Sequence, residues 1–262
     1  MSAIPLFGPT SRPGDFFVGL SLPFRAISLV FRTGKLFLLS SIAAVVTFFA
    51  LVGLVVFAAG WTDDLVRRFV FTPETWYGGA LFWLLVAVTF VVIVLVGLNT
   101  VPLLLLAPLQ DPIGEATEET LGDFRAQGFT VKGVARGTWV SLWHTAVRIV
   151  SLLAGHAALL LLNLIPVVGS AVWTVASVLW TMMWLSVEYL DAPMARHLYP
   201  FGDVRRAVLS RPIASLGFGA ALYVILWVPV LNLFLIPTAI VAGTLFFRGL
   251  RACGGLGPPP VV

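Results

Sequence analysis

Between Arg148 and Glu188 the chain carries no Asp, Glu, Lys or Arg, and near the middle of that interval it reads Leu164-Ile165-Pro166-Val167-Val168-Gly169. The charges bracketing so long an apolar run have the most chemistry open to them. An ion in hydrocarbon costs about 2.5–3.5 kcal/mol on insertion scales, so such groups pair, snorkel or line an ion path. Arg148 and Glu188 lie almost equally far from Pro166, so an antiparallel hairpin sets them level. A contact between them near one membrane face is the expectation, with Asp191 as a further gating or coupling group. Separate snorkelling of both side chains to headgroups is the competing reading.

Other chemistry-bearing residues are sparse. Glu115, Glu118 and Glu119 follow Asp111-Pro112, and read as first-turn acids on a solvated helix that Asp111 caps. A metal site would need a histidine or a second carboxylate cluster beside them, so no metal is expected. His144 lies one turn from Arg148, and His156 sits deeper. Both read as structural, since a proton relay needs a chain of ionisable groups and the two long spans carry no acid. The single Cys253 excludes an internal disulfide. There is no Ser/His/acid set, metal-ligand spacing or phosphate loop, and Gly217-Phe218-Gly219 lacks the third glycine and preceding strand of a dinucleotide motif. No catalytic residue and no cofactor are expected.

The elements that must position these residues follow from composition. With 59% hydrophobic residues, 11% charged and a mean hydropathy of +1.01, the chain reads as an all-α integral membrane protein forming a single membrane domain over 1–262. The cations are scattered topology markers rather than a nucleic-acid surface. Residues 1–15 lack the order of a signal peptide and read as flexible. Over 16–33, Phe16, Leu20, Phe24, Ile27 and Phe31 repeat at helical spacing, which predicts an amphipathic helix in the membrane interface, with an ordinary packed helix as the alternative. Two long transmembrane helices follow at 36–62 and 80–106, then a cytoplasmic helix at 111–128. Arg12, Arg25, Arg32 and Lys35 against Asp15 alone put the N-terminus in the cytoplasm.

Two Pro-turn hairpins complete the chain before a disordered tail at 254–262. The first, 138–190, turns at Pro166 and Gly169. Its arms, 149–165 and 167–187, would be about 25 and 31 Å long against a hydrocarbon core of about 30 Å. The second, 213–251, turns at Pro229 and Asn232, with Pro237 opening the return arm. Its arms reach about 24 and 15–21 Å, and both feet, Arg211 and Arg248/Arg251, are basic. Short arms with feet of one sign predict that the second hairpin enters and leaves on one face without crossing, while the first either just crosses or, its tip being apolar, turns back inside the membrane. Paired interrupted apolar segments are also a pointer to a transport site.

Several motifs recur in a recognisable order. They are Ala107-Pro108 before the Glu-rich helix, Ile165-Pro166-x-x-Gly169, Glu188-Tyr189-x-Asp191-x-Pro193, Pro200-Phe201, Phe218-Gly219-Ala220, and Val228-Pro229-Val230-Leu231-Asn232-Leu233-Phe234 with Pro237. This order resembles the CysZ sulfate permease family, which shares its domain with the eukaryotic etoposide-induced membrane proteins. The resemblance implies a multi-pass protein of the bacterial inner membrane, sulfate uptake feeding cysteine synthesis, and homo-oligomers. It also implies an oxyanion site where a glycine and neighbouring cations open the first long helix, matched here by Arg32, Gly34 and Lys35. Glycine lets the backbone approach closely, and free amides at a helix start favour an anion. The adjacent arginine pair of the family pattern is replaced by Lys35, a point charge rather than a bidentate fork. Positive-inside anchoring is the other reading of Arg32 and Lys35. The function expected is an oxyanion permease, passive because the long spans hold no ionisable coupling group. A non-transporting membrane scaffold or biogenesis protein is the alternative.

Overall fold

A computed structural model describes residues 7, 12–70, 76–122, 131–226 and 229–256. Of the expected segments, most of 1–15, the loop residues 71–75, positions 123–128, Trp227 and Val228 at the second tip, and tail residues 257–262 lie outside these. Most of the described residues are helical, with no strand among them: α1 Asp15–Arg32, α2 Gly34–Phe69, α3 Trp76–Leu121, α4 Val131–Leu160, α5 Gly169–Arg196, α6 Phe201–Ser210, α7 Pro212–Leu226 and α8 Pro229–Ala252. Among the described residues, five helical segments are long and apolar enough to cross a membrane: Gly34–Phe69, Tyr77–Leu98, Ala146–Leu164, Gly169–Arg196 and Leu235–Ala252.

The chain divides into two compact units. One comprises residues 41–109; the other joins 1–40 to 110–262. Within the first, Leu54 packs against Gly97, and the Arg67 guanidinium lies 4.7 Å from the centre of the Phe82 ring. The second is built on α1, α5, α7 and α8. Its centre holds Leu22 and Ala26 of α1, Leu190 and Met194 of α5, Phe218 and Leu222 of α7, and Phe246 and Leu250 of α8. Ser186 donates to the Ser215 carbonyl at 2.6 Å, tying α5 to α7 where apolar packing alone leaves the axial position loose.

Close approach in this unit needs glycine. A Cβ at Gly219 of α7 would collide with the Met182 carbonyl oxygen of α5. Ala gains about 1 kcal/mol of helix propensity over Gly, but an overpacked interior costs about 1–3 kcal/mol when the obstacle is backbone that cannot rotate away. Gly219→Ala should therefore lower the thermal midpoint of the solubilised protein, and an unchanged or raised midpoint would contradict this helix contact.

Several boundaries differ from the sequence expectation, each for a local reason. The separate helix expected at 111–128 is the end of α3, which runs unbroken through Pro108 and Pro112. Each proline removes one amide donor, and the buried Ile113, Ala116 and Thr117 hold the helix beyond them, with the Thr117 hydroxyl bonded to the Ile113 carbonyl at 2.7 Å. Asp111 therefore lies inside a helix instead of capping one. In the same way α2 extends past residue 62 to Phe69, and α5 passes Pro193 to end at Arg196. Pro229 begins α8 as a first-turn proline, so Asn232 and Pro237 lie within that helix rather than at a turn and at the start of a return arm.

The first hairpin turns through a short 3-10 segment, Leu161–Leu164, and the residues after it. The left-handed backbone falls on Val167, at φ 70°, rather than on glycine. Gly169 instead opens α5, where a Cβ would strike the Leu162 carbonyl. At 30 and 28 residues, α4 and α5 are about 45 and 42 Å long, longer than the arms read from the apolar run. The two hairpins also differ in setting. None of the Ala146–Leu164 window is buried inside the protein, whereas 72% of Leu235–Ala252 is. In α1, Phe24 and Phe31 point outward, and the side packed on α7 and α8 carries Gly19, Leu22, Ala26 and Val30.

Candidate anion site and ion-pair network

The expected anion site is a helix junction. Thr33, in extended conformation, ends α1, its amide donating to the Val30 carbonyl at 3.3 Å. Its carbonyl accepts from Phe37 at 2.9 Å, so α2 starts at once and its first amides have no partner one turn back. Apart from its chain neighbours and the backbone of its own helix turn, no atom lies within 4 Å of where a Gly34 Cβ would be. The junction is open, and glycine is not required there by packing. Arg32 is exposed and has no ion-pair partner among the described residues. Lys35 differs, because its ammonium lies 2.6 Å from Glu119 Oε2, with both side chains largely exposed. Such an exposed pair is worth about 0–1 kcal/mol, so an anion of higher charge can displace the carboxylate at little cost.

The charges flanking the first hairpin meet. Arg148 of α4 places Nη2 4.0 Å from Glu188 Oε1 and Nη1 3.7 Å from Asp191 Oδ2. The sharing follows from helix geometry, since Glu188 and Asp191 stand three residues apart and so lie on one face of α5. Asp191 is the more buried acid, its side chain 8% exposed against 34% for Glu188.

A second network was not foreseen. Glu118, read from sequence as a solvated first-turn acid, has a side chain only 3% exposed. Arg196 donates to its Oε1 from Nε at 3.3 Å and Nη2 at 3.0 Å, and His197 Nε2 lies 3.1 Å from its Oε2. The carboxylate can only accept, so His197 Nε2 carries the proton. Burial alone would raise the Glu118 carboxyl. The His197 hydrogen bond and the adjacent Arg196 guanidinium outweigh that and hold it below the usual carboxylate range. Arg196 Nη1 also reaches Asp111 at 3.5 Å, and the His197 ring stacks on Phe247 at 5.1 Å between centroids. A small cavity lined by Glu118, His197, Thr244, Phe247, Arg248 and Arg251 opens beside this cluster. A further buried pair, Arg211 to Asp15 at 3.6 Å, joins the start of α7 to the start of α1.

No regular spacing announces these contacts. Glu118 is 78 residues from Arg196, and the one available signal was the adjacent Arg196-His197 pair after an apolar helix. Of the other expected residues, Pro166 stands in the first turn, and Pro229, Asn232 and Pro237 stand along α8. His156 lies along α4, where its Nδ1 meets the Leu152 carbonyl at 3.1 Å. The described residues contain no cluster of three metal-ligating side chains.

Comparison with known proteins places these features in context. The family model described as sulfate transporter CysZ/etoposide-induced protein 2.4 matches residues 22–237. A curated relative named sulfate transporter CysZ, from Vibrio parahaemolyticus serotype O3:K6 (strain RIMD 2210633), is 31% identical over 166 residues. That alignment covers 62% of this chain and 66% of the relative, so the chain spans just under two thirds of the relative's length.

Proposed function

We propose, from the fact that this chain belongs to the sulfate transporter CysZ/etoposide-induced protein 2.4 family, that it is a passive permease for sulfate or a related oxyanion. The match over residues 22–237 carries this reading, because it takes in the Thr33–Lys35 junction, the first hairpin and the second as far as Pro237. In this reading the protein sits in the bacterial inner membrane as a homo-oligomer, its N-terminus cytoplasmic and its two hairpins partly inserted, and it supplies sulfate for assimilation into cysteine. The outward-facing Phe17, Phe24 and Phe31 of α1, one every seven residues and hence on one helix face, suit a helix resting on the bilayer surface.

Arg32, Gly34 and Lys35 receive the anion. The open space at Gly34 admits an oxygen atom to the α2 amides, Arg32 supplies fixed charge, and Lys35 exchanges Glu119 for the ligand. Arg148 with Glu188 and Asp191 forms the gating group. An arginine shared between two acids can swing towards a passing anion while the acids keep it from being trapped.

Purified protein reconstituted in liposomes tests the reading with labelled sulfate. Uptake above empty vesicles, saturable and independent of a proton gradient, is expected. Folded protein that gives no uptake removes the permease reading. One observation favours the second reading, a non-transporting scaffold: the Lys35 ammonium is already engaged by Glu119.

A further inference from the structure

Three buried polar atoms lie along one side of α5 without a hydrogen-bond partner: Trp173 Nε1, Ser177 Oγ and Trp180 Nε1. Positions 173, 177 and 180 repeat at four and three residues, so they share a helix face. That face meets α4. The Trp180 indole covers Gly155, where a Cβ would collide with the ring, and Thr181 Oγ1 stands 3.5 Å from His156 Nε2. Buried polar groups in folded proteins are nearly always satisfied, and an orphan calls for a missing partner.

The chemistry of that partner follows from the groups themselves. An indole N–H donates and cannot accept, so neither tryptophan can satisfy the other. Thr174 and Thr181 turn their hydroxyls to the carbonyl one turn back, each at 2.8 Å, whereas Ser177 leaves its own unspent. A carbonyl only accepts, so the His156 Nδ1 contact to the Leu152 carbonyl puts the ring proton on Nδ1; Nε2 is then an acceptor, and the Thr181 hydroxyl 3.5 Å away has already given its one proton to the Ser177 carbonyl. Of the orphaned groups the two indoles can only donate and the Ser177 hydroxyl is free to donate, with no carboxylate among them. Donors without a carboxylate beside them complement an anion.

We propose that the seam between α4 and α5 is a file of neutral hydrogen-bond donors that receives a partly dehydrated tetrahedral oxyanion within the apolar layer, separately from the Thr33–Lys35 junction. Only the choice of oxyanion rests on the permease reading. Trp173 and Trp180 are two helical turns apart, about 10.5 Å, which is more than one such ion spans. The seam thus offers successive positions rather than a single cradle. Neutral donors hold an anion without the depth of a full charge, as conduction requires. Arg148 lies on the same hairpin two turns from His156 towards the feet, and delivers the ion to the first of them.

The indole protons report on this directly. Protein labelled with nitrogen-15 in tryptophan, in lipid nanodiscs, is titrated with sodium sulfate and, at matched ionic strength, sodium chloride. Trp173→Phe and Trp180→Phe identify the two N–H resonances, and the remaining tryptophan signals confirm the fold. Both resonances should move downfield saturably with sulfate, and Ser177→Ala should weaken the apparent affinity. Resonances that stay still, or move equally with chloride, overturn the seam. In liposomes the double Trp→Phe variant should lose sulfate uptake by about tenfold or more, the loss expected for hydrogen bonds to a charged acceptor. The two readings separate cleanly: sulfate flux with silent indoles leaves the permease and removes the seam, whereas responding indoles without flux keep the seam and remove the permease.

Discussion

Arg196→Ala is expected to lower the stability of the folded protein by about 3–5 kcal/mol, the cost of stranding one member of a buried ion pair. The magnitude applies because the Glu118 and Arg196 side chains are 3% and 9% exposed, so little water reaches the carboxylate once the guanidinium is gone. Glu118→Gln should cost less, since the amide oxygen still accepts from Arg196, whose charge keeps Asp111 at 3.5 Å. The same cluster sets an acid limit. The folded state holds the Glu118 carboxyl below its unfolded value, so the unfolded chain binds more protons as acidity rises. Its contribution is fully present above the usual carboxylate range and is lost as pH falls through the lower folded value. Thermal midpoints of the solubilised protein across the acid range should show that decline in the wild type. In Arg196→Ala only the His197 contact still opposes burial, so the decline should shrink. A midpoint that stays within experimental error after Arg196→Ala would contradict the buried network.

The second large effect concerns the helix junction. Arg32→Ala with Lys35→Ala should weaken sulfate binding by about a hundredfold or more, since each of the two hydrogen bonds to a charged group is worth about 1.5–3 kcal/mol and 1.4 kcal/mol is one decade. The complementary change is more diagnostic. Glu119 competes with the ligand for Lys35 at 2.6 Å, so Glu119→Gln should tighten binding. The gain is limited to several-fold because an exposed pair is worth only about 0–1 kcal/mol. Equilibrium binding of labelled sulfate to the three proteins decides the matter. If Arg32 and Lys35 serve only to fix topology, neither change moves the affinity.

Composition and the lengths of the uncharged runs were sufficient for the class of this protein, all-helical with several helices long enough to cross a membrane, because burying a charge or an unpaired amide in hydrocarbon is too costly to leave other solutions. The ordered motifs likewise led to the family, since turns punctuated by proline must keep their spacing to keep the hairpins. Helix ends were harder to read. Pro112, Pro193 and Pro237 look like stops in a one-dimensional pattern, yet each lies inside a helix, where packing on both sides holds the backbone against the loss of one hydrogen bond. The protein-facing side of α1 was also hidden, because close packing selects Gly19 and Ala26 and leaves the large, conspicuous Phe24 and Phe31 outside. Only the tertiary structure could bring Glu118 to Arg196 and His197, Lys35 to Glu119, and Asp15 to Arg211. A charge's partner in space leaves no periodic trace along the chain, whereas the solvent its helix must tolerate is written in every turn.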